Sequence, residues 1–225
     1  MAHLPAPKAH TVELIRQAAR SLREMREASP KQSLDYWLED ACGIVIMPGV
    51  YKAGFFYSIH AGEGVVLARR QNGGWSSPAF MSVAGAGYGV QAGVEKARLI
   101  FVINENDALV SILAGGPGID FTTMYDVVGV REAAGPESRV RGKPIIAVAD
   151  GAGIMAGVAA HVGSLHQSPG LNAAYYGADA TNATLDAQAV FHADRIPGLE
   201  VLELWDALRV SLPKAAIQKN PATHP

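Results

Sequence analysis

"GFFYSIHAGEGVVLARR", residues 54–70, is the stretch that most clearly indicates the fold class. Two runs with strand-like composition flank a short Ala-Gly-Glu-Gly segment at residues 61–64. Glycine-containing segments of this length between apolar runs are typical of hairpin turns. The stretch therefore predicts two antiparallel strands joined at 61–64, and with them a sheet built from consecutive hairpins.

The centre of the chain repeats this plan loosely. Of the 24 glycines, 23 lie between Gly43 and Gly177. The segments 82–104 and 144–165 again combine small residues with apolar runs, and Pro48-Gly49 follows "GIVIM" as a turn signal. Small residues that alternate with apolar ones at period two favour closely packed neighbouring strands.

Helical spacing appears towards both ends of the chain. The segment from Thr11 to Ala28 carries apolar residues at helical intervals, which are Ile15, Ala18, Leu22 and Met25. Shorter helices are predicted over Leu34–Ala41, Asp107–Leu113 and Leu199–Leu212.

The predicted fold class is α+β, with a compact, Gly-rich and mostly antiparallel β core of sandwich- or barrel-like shape and with flanking helices. We expect residues 11–212 to form one domain, residues 1–10 a disordered N-terminus and residues 213–225 a C-terminal tail.

Composition excludes several classes of protein. The formal net charge is −2 and charged residues make up 18% of the chain, which argues against a nucleic-acid binder. Cys42 is the only cysteine, so neither an intramolecular disulfide nor a zinc site of cysteines can form. No apolar run approaches the roughly 20 residues of a membrane span.

"DGAGIMAG", residues 150–157, matches the dinucleotide-binding pattern G-x-G-x-x-A after an apolar run. That site needs a helix after the glycines and an acidic residue about 20 positions further on. Gly157 and Gly163 weaken the helix, and residues 159–178 contain no Asp or Glu. The stretch therefore predicts a glycine turn that enters a strand, and we expect no nucleotide or other cofactor.

Catalytic chemistry is not visible in the rest of the chain. There is no Walker A sequence, no serine stands in a G-x-S-x-G frame, and the seven histidines are scattered, with no carboxylate next to His161 or His166. We predict no catalytic residue and no metal ligand, and hence a protein that is not an enzyme.

Basic residues are more informative. Arg16, Arg20 and Arg23 form a cationic stripe along the first predicted helix, as in helices that lie in an anionic membrane interface. The alternative is an ordinary helix that covers a sheet. Its solvated face then also carries three glutamates, Glu13, Glu24 and Glu27. The two interpretations differ in whether Ile15, Leu22 and Met25 are buried. Further cations that could contact phosphates are Lys52, Arg69 and Arg70.

Five motifs occur in the order and spacing of the SYLF domain, and the resemblance covers about Val12 to Leu212. They are "PGVYKAGF" (48–55), "GEGVVLARR" (62–70), "GGWSSPAF" (73–80), "GYGVQAG" (87–93) and "GLNAAYYG" (170–177). The chain most resembles the bacterial stand-alone members, which lack the SH3 or FYVE modules of eukaryotic relatives.

The resemblance implies peripheral binding of anionic phospholipids, including phosphoinositides, at a membrane surface. It implies that the helix from Thr11 to Ala28 takes part, that Lys52 matches a family lysine after the proline turn, and that Arg69 and Arg70 match a family arginine pair. Actin binding by some members implies the alternative, a structural or protein-interaction module without direct lipid binding.

Two further expectations come from the resemblance. Bacterial members are commonly exported, so it implies a periplasmic or cell-envelope location and a signal peptide that has been removed, with a cytoplasmic location as the alternative. The chain also departs from the family pattern at 118–130 and at 147–153, where "AVADGAG" lacks the basic residues of relatives. That departure weakens the expectation of phosphoinositide selectivity.

Overall fold

A computed structural model describes most of the chain. The described residues are 6–30, 33–54, 57–88, 93–114, 125–129, 143–150, 165–177, 191 and 196–210. The glycine motif beyond Asp150 and the predicted tail at 213–225 lie outside these ranges, so the glycine turn and the tail stay predictions.

The described residues form seven strands in one sheet, in the order β5-β6-β4-β1-β2-β3-β7. The strands are β1 (Gly43–Gly54), β2 (Tyr57–Ala68), β3 (Ala79–Tyr88), β4 (Gly93–Ile103), β5 (Tyr125–Gly129), β6 (Ile145–Asp150) and β7 (Leu165–Gln167). Among these described strands, β5 and β6 form the only parallel pair. The α+β class with a mostly antiparallel sheet is confirmed. The sandwich- or barrel-like shape is wrong for the described strands, because they form a single sheet that does not close on itself.

Residues 61–64 are not a turn. They lie inside β2, where Ala61 pairs with Tyr51 of β1 and with Ala84 of β3. The hairpin joins β1 to β2 instead, with Gly54 opposite Ser58. The hairpin predicted within residues 54–70 is therefore wrong, because residues 57–68 form one continuous strand.

The predicted turn at Pro48-Gly49 is also wrong, and the two errors have one cause. The β1 strand continues through both residues as a bulge, which shifts the register against β2 and against β4. A Cβ atom on Gly62 would lie 2.7 Å from the carbonyl oxygen of Gly49, and one on Gly64 would overlap the carbonyl of Ile46. Glycines stand at 62 and 64 because the bulged strand approaches β2 too closely for side chains.

Of the helices in the described part of the chain, four cover one face of the sheet and a fifth packs on the other. The first face carries α1 (Ala6–Ala28), α2 (Ser33–Asp40), α4 (Pro169–Tyr176) and α5 (Leu199–Ala207). The opposite face packs against α3 (Asn106–Ala114). The N-terminal helix is confirmed, although it begins before the predicted start. Thr11 is a buried residue within the helix, and its hydroxyl donates to the carbonyl of Lys8.

The α1 helix crosses the sheet over β1. Near its start, His10 Nε2 lies 2.6 Å from Glu63 Oε2 of β2. Near its end, Glu24 accepts a hydrogen bond from Arg98 of β4. Since β2 and β4 flank β1, the helix spans three strands close to the bulge. Of the described helices, none combines the length and the apolar character needed to cross a membrane.

Candidate binding surface

The apolar face of α1 belongs to the core of the domain. Ile15, Leu22 and Met25 have no solvent exposure, and they share one cluster with Ile44 and Ile46 of β1. A helix buried in this way cannot place its apolar side in a membrane while the domain stays folded. The structure thus has the arrangement of the alternative interpretation, a helix that covers a sheet.

Polar contacts tie the same helix to its neighbours. Arg26 donates from Nε to Asp35 Oδ1 of α2 at 2.5 Å and from Nη1 to the carbonyl of Ala207 of α5, also at 2.5 Å. Arg98 of β4 bridges Glu24 and Asp150. These contacts fix α1 to two helices and to the sheet, so its detachment would break them together.

The predicted cationic stripe lies on the outer face of α1. Arg16, Arg20 and Arg23 are all exposed. Arg23 Nη2 donates to the carbonyl of Glu203 at 2.9 Å, and Arg20 lies 3.6 Å from Glu13. Arg16 has neither a hydrogen bond nor an ion pair within the part of the chain that the structure describes. Of the three arginines, Arg16 therefore has the fewest polar contacts with the described residues.

Acidic residues outnumber basic ones on the helices of this face. Across α1, α2, α5 and the residue Arg209 that follows, six basic side chains stand against nine acidic ones. The basic set is Lys8, Arg16, Arg20, Arg23, Arg26 and Arg209, and the acidic set is Glu13, Glu24, Glu27, Asp35, Glu39, Asp40, Glu200, Glu203 and Asp206. The helical layer therefore presents a net negative charge, which opposes contact with an anionic surface.

Arg69 has a structural role that the sequence does not reveal. It donates hydrogen bonds to the carbonyls of Leu38 (2.5 Å), Glu39 (3.2 Å) and Ala41 (3.1 Å) at the end of α2. Its guanidinium also lies 4.1 Å from the centroid of the Trp75 ring. Burial lowers the pKa of Arg69, and the nearby carboxylate of Asp40 opposes that change. The donors of Arg69 are thus engaged with the backbone, which leaves few of them for a phosphate.

The other two predicted cations, Arg70 and Lys52, have different surroundings, and Lys52 lies far from Arg69. The backbone N–H of Arg70 donates to the carbonyl of Gly74, and its Nε is buried without a hydrogen-bond partner among the described atoms. Lys52 stands in β1 opposite His60 and Glu95, and its side chain lies outside the described part. Arg69 pairs with Cys42 at the far end of the same ribbon, roughly 30 Å away at a rise of about 3.3 Å per residue.

Two exposed features were not found from the sequence. The first is a row across four strands on the helix-bearing face, formed by Lys96, Tyr51, Ala61 and Ala84 in register. Lys96 Nζ lies 5.3 Å from the Tyr51 ring centroid. A cavity of about 380 Å³ beside this row is lined by Lys96, Ala97, Arg98 and Asp150. Because Arg98 is paired with Asp150 and Glu24, this cavity has no strong net charge.

The second feature is an apolar ridge at the start of α5, which we call the α5 ridge. It consists of Ile196 (98% exposed), Leu199 (73%) and Leu202 (45%). Leucine at both buried and exposed positions of α5 was the available sequence signal. It could not be interpreted without knowing which side of the helix meets α1.

Two features of the described residues bear on catalysis, which are metal-ligating side chains and the Cys42 thiol. No three side chains of His, Cys, Asp or Glu come together there to hold a metal ion. Burial raises the pKa of the Cys42 thiol, which donates to the carbonyl of Ile103, so this thiol is a poor nucleophile.

An open, mostly antiparallel sheet with an integral helical layer, as the described residues form it, defines an α+β domain. A family model described as "Las17-binding protein actin regulator", Ysc84, matches residues 84–210. The match covers more than half of the chain, which therefore belongs to the Ysc84 (SYLF) family.

Curated relatives are similar over much of this chain. SH3 domain-containing YSC84-like protein 1 of Xenopus laevis is 26% identical over 213 residues, which are 91% of this chain and 62% of the relative. Protein YSC84 of Saccharomyces cerevisiae is 32% identical over 151 residues, 65% of this chain and 32% of the relative. LAS seventeen-binding protein 3 of the same yeast is 32% identical over 148 residues, 64% of this chain and 32% of the relative.

This chain therefore spans less than two thirds of the length of these relatives. No solved structure matches it.

Proposed function

We propose that this chain is a non-enzymatic protein-binding module whose partner belongs to the actin-regulating machinery. The observation that carries the proposal is the complete burial of Ile15, Leu22 and Met25 in the folded domain. The apolar face that membrane insertion requires is already used by the core. The descriptions of the family and its relatives, which name Las17 and actin regulation, supply the class of partner.

The charge of the helical layer supports the same proposal. The helices of this layer, counted together with Arg209, carry nine acidic and six basic side chains, so an anionic bilayer would meet net repulsion. A protein surface places no such requirement on overall charge, since complementarity there is local.

Anionic phospholipid binding, including phosphoinositide binding, is the second candidate function. The exposed side chain of Arg16, which has no partner among the described residues, is the observation that favours it, with Arg20 one turn away. Binding of this kind would be electrostatic and peripheral, without insertion of α1, and it would weaken as salt is added. It would suit a protein that works at a membrane surface of the cell envelope.

Parallel co-sedimentation assays separate the two functions. The chain is incubated with actin filaments, with phosphatidylcholine vesicles, and with vesicles that also contain phosphatidylserine or a phosphoinositide. We expect pelleting with filaments and no preference for the anionic vesicles. A double variant, R16E with R20E, tests the arginine stripe, and R209E is the matched control because it reverses one exposed arginine on a neighbouring element.

Two results would contradict the proposal. One is the absence of filament binding. The other is a preference for anionic vesicles that is lost in the Arg16/Arg20 variant and retained in R209E, which would establish phospholipid binding in its place.

A further inference from the structure

The α5 helix is apolar on two sides, although only one side is covered. Val201, Leu204 and Ala207 are buried against the helical layer, whereas Leu199 and Leu202 face solvent beside the almost fully exposed Ile196. A helix with apolar residues on both sides is usually covered on both sides. An exposed apolar cluster of this kind marks an interaction surface more often than an ordinary patch of protein surface does.

Carboxylates share the outward face with the leucines. Successive residues of an α-helix rotate by about 100°, which places Leu199, Leu202, Glu203 and Asp206 within an arc of roughly 100°. Asp206 lies near Arg23 and Arg209, at 3.9 Å and 3.8 Å. The Glu203 carboxylate forms no ion pair with any described residue, because Arg23 contacts its backbone carbonyl instead.

We propose that the α5 ridge binds a segment of a partner protein that presents apolar side chains interleaved with lysine or arginine. The leucines provide the apolar contact, and the carboxylate of Glu203, which has no ion-pair partner in the described part of the chain, selects for the basic residues. The inference rests on the proposed protein-binding function and names the chemistry of the partner. An anionic membrane does not fit this surface, since the carboxylates beside the leucines would repel its headgroups.

The probes are two short helix-forming peptides of the same apolar pattern, one of leucine and lysine and one of leucine and glutamate. Fluorescence anisotropy with the full chain measures their affinities. We expect the lysine peptide to bind more tightly. The double variant L199S with L202S should weaken that binding by about tenfold or more, because the apolar contact is lost.

Glu203→Lys tests the charge selection separately. It should weaken binding of the lysine peptide and strengthen binding of the glutamate peptide, a reversal that a purely apolar contact would not show. Val110→Ser is the matched control, because Val110 is 53% exposed on α3 at the opposite face of the sheet. It should leave both affinities unchanged. All the substituted side chains are exposed, so circular dichroism and melting temperature should stay near those of the parent chain.

Three outcomes overturn the inference: equal binding of the two peptides, no loss in the leucine variant, or a dimer in sedimentation velocity that the leucine variant abolishes. The last would identify a second copy of this chain as the occupant. Filament pelleting is measured in parallel. If filaments bind and the lysine peptide does not, the α5 inference fails and the proposed function stands. The reverse result contradicts actin binding and leaves the α5 ridge as a peptide site.

Discussion

Gly62 of β2 lies directly against the carbonyl of Gly49 in the β1 bulge, and an added Cβ atom would come within 2.7 Å of that oxygen. Backbone atoms line the contact, so a neighbouring side chain cannot move aside to relieve it. We expect Gly62→Ala to reduce the free energy of unfolding by about 2 kcal/mol or more, from overpacking against the backbone. Urea unfolding followed by circular dichroism measures the change.

Gly170→Ala is the control for that substitution. A Cβ atom on Gly170 meets nothing within 4 Å, and the residue lies in the first turn of α4. Alanine should be neutral there or stabilise the domain by up to about 1 kcal/mol. Equal destabilisation by both alanines would show that close approach to the bulge is not the cause.

The burial of α1 makes a second prediction. Leu22→Ala should lower the free energy of unfolding by about 2–5 kcal/mol, since Leu22 is fully buried between the helix and the sheet. Leu202→Ala removes the same atoms from a position that is 45% exposed, and it should change stability by less than about 1 kcal/mol. If both variants lowered the free energy of unfolding by similarly small amounts, α1 would not pack on the sheet in solution.

The third prediction concerns the contribution of Arg69 to stability through its contacts with the end of α2. Arg69→Ala removes the hydrogen bonds to the carbonyls there and the stacking on Trp75. We therefore expect the free energy of unfolding to fall by about 2 kcal/mol. Arg69→Lys should recover little, because an ammonium group lacks the planar set of donors. Arg16→Ala is the matched control, with an expected change within about 0.5 kcal/mol. A loss in vesicle or filament binding with unchanged thermal stability would instead assign Arg69 to a ligand.

The raised pKa of the Tyr175 hydroxyl predicts how the stability of the domain depends on pH. Burial raises the pKa of its hydroxyl above the ordinary value of 10.0, and the hydrogen bond to Glu200 Oε1 (2.5 Å) acts in the same direction. Above about pH 10 the unfolded chain releases this proton before the folded chain does, so the folded state loses stability as the pH rises. Below pH 10 the contribution of the group is fully present.

Tyr175→Phe removes both the ionisation and the hydrogen bond. The variant should be less stable at neutral pH by about 1 kcal/mol, and its deficit should shrink as the pH rises above 10. Urea unfolding of both proteins between neutral pH and about pH 11 provides the comparison. A deficit that grows in that range would contradict the raised pKa.

The local pattern of apolar residues was sufficient to predict much of the fold. The apolar run 99–103 lies within β4 and 145–149 within β6, and the spacing of Ile15, Leu22 and Met25 identified the buried face of α1. Each of these depends on periodicity within one segment. The position of the hairpin could not be obtained in this way. A glycine in the sequence is compatible both with a turn and with a close approach of two strands, and the sequence does not distinguish the two.

The binding surface was less predictable than the fold. That Arg16, Arg20 and Arg23 lie along one side of α1 follows from helical spacing, and all three are exposed. That the nearby helices carry more acid than base depends on which elements pack beside α1. The role of Arg69 depends on the end of α2, which lies about thirty residues earlier in the sequence. The phosphate-binding roles proposed for Lys52 and Arg70 stay predictions.

The sequence by itself determined the α+β class, the amphipathic character of α1 and membership of the SYLF family, since all three are properties of local pattern or of motif order. Only the tertiary structure decided that glycines 62 and 64 accommodate a bulge, that Arg69 binds the end of α2, and that α5 leaves leucines exposed. These outcomes depend on contacts between segments far apart in the chain. The chemistry of a side chain limits which contacts it can make, and the fold determines which of those contacts form.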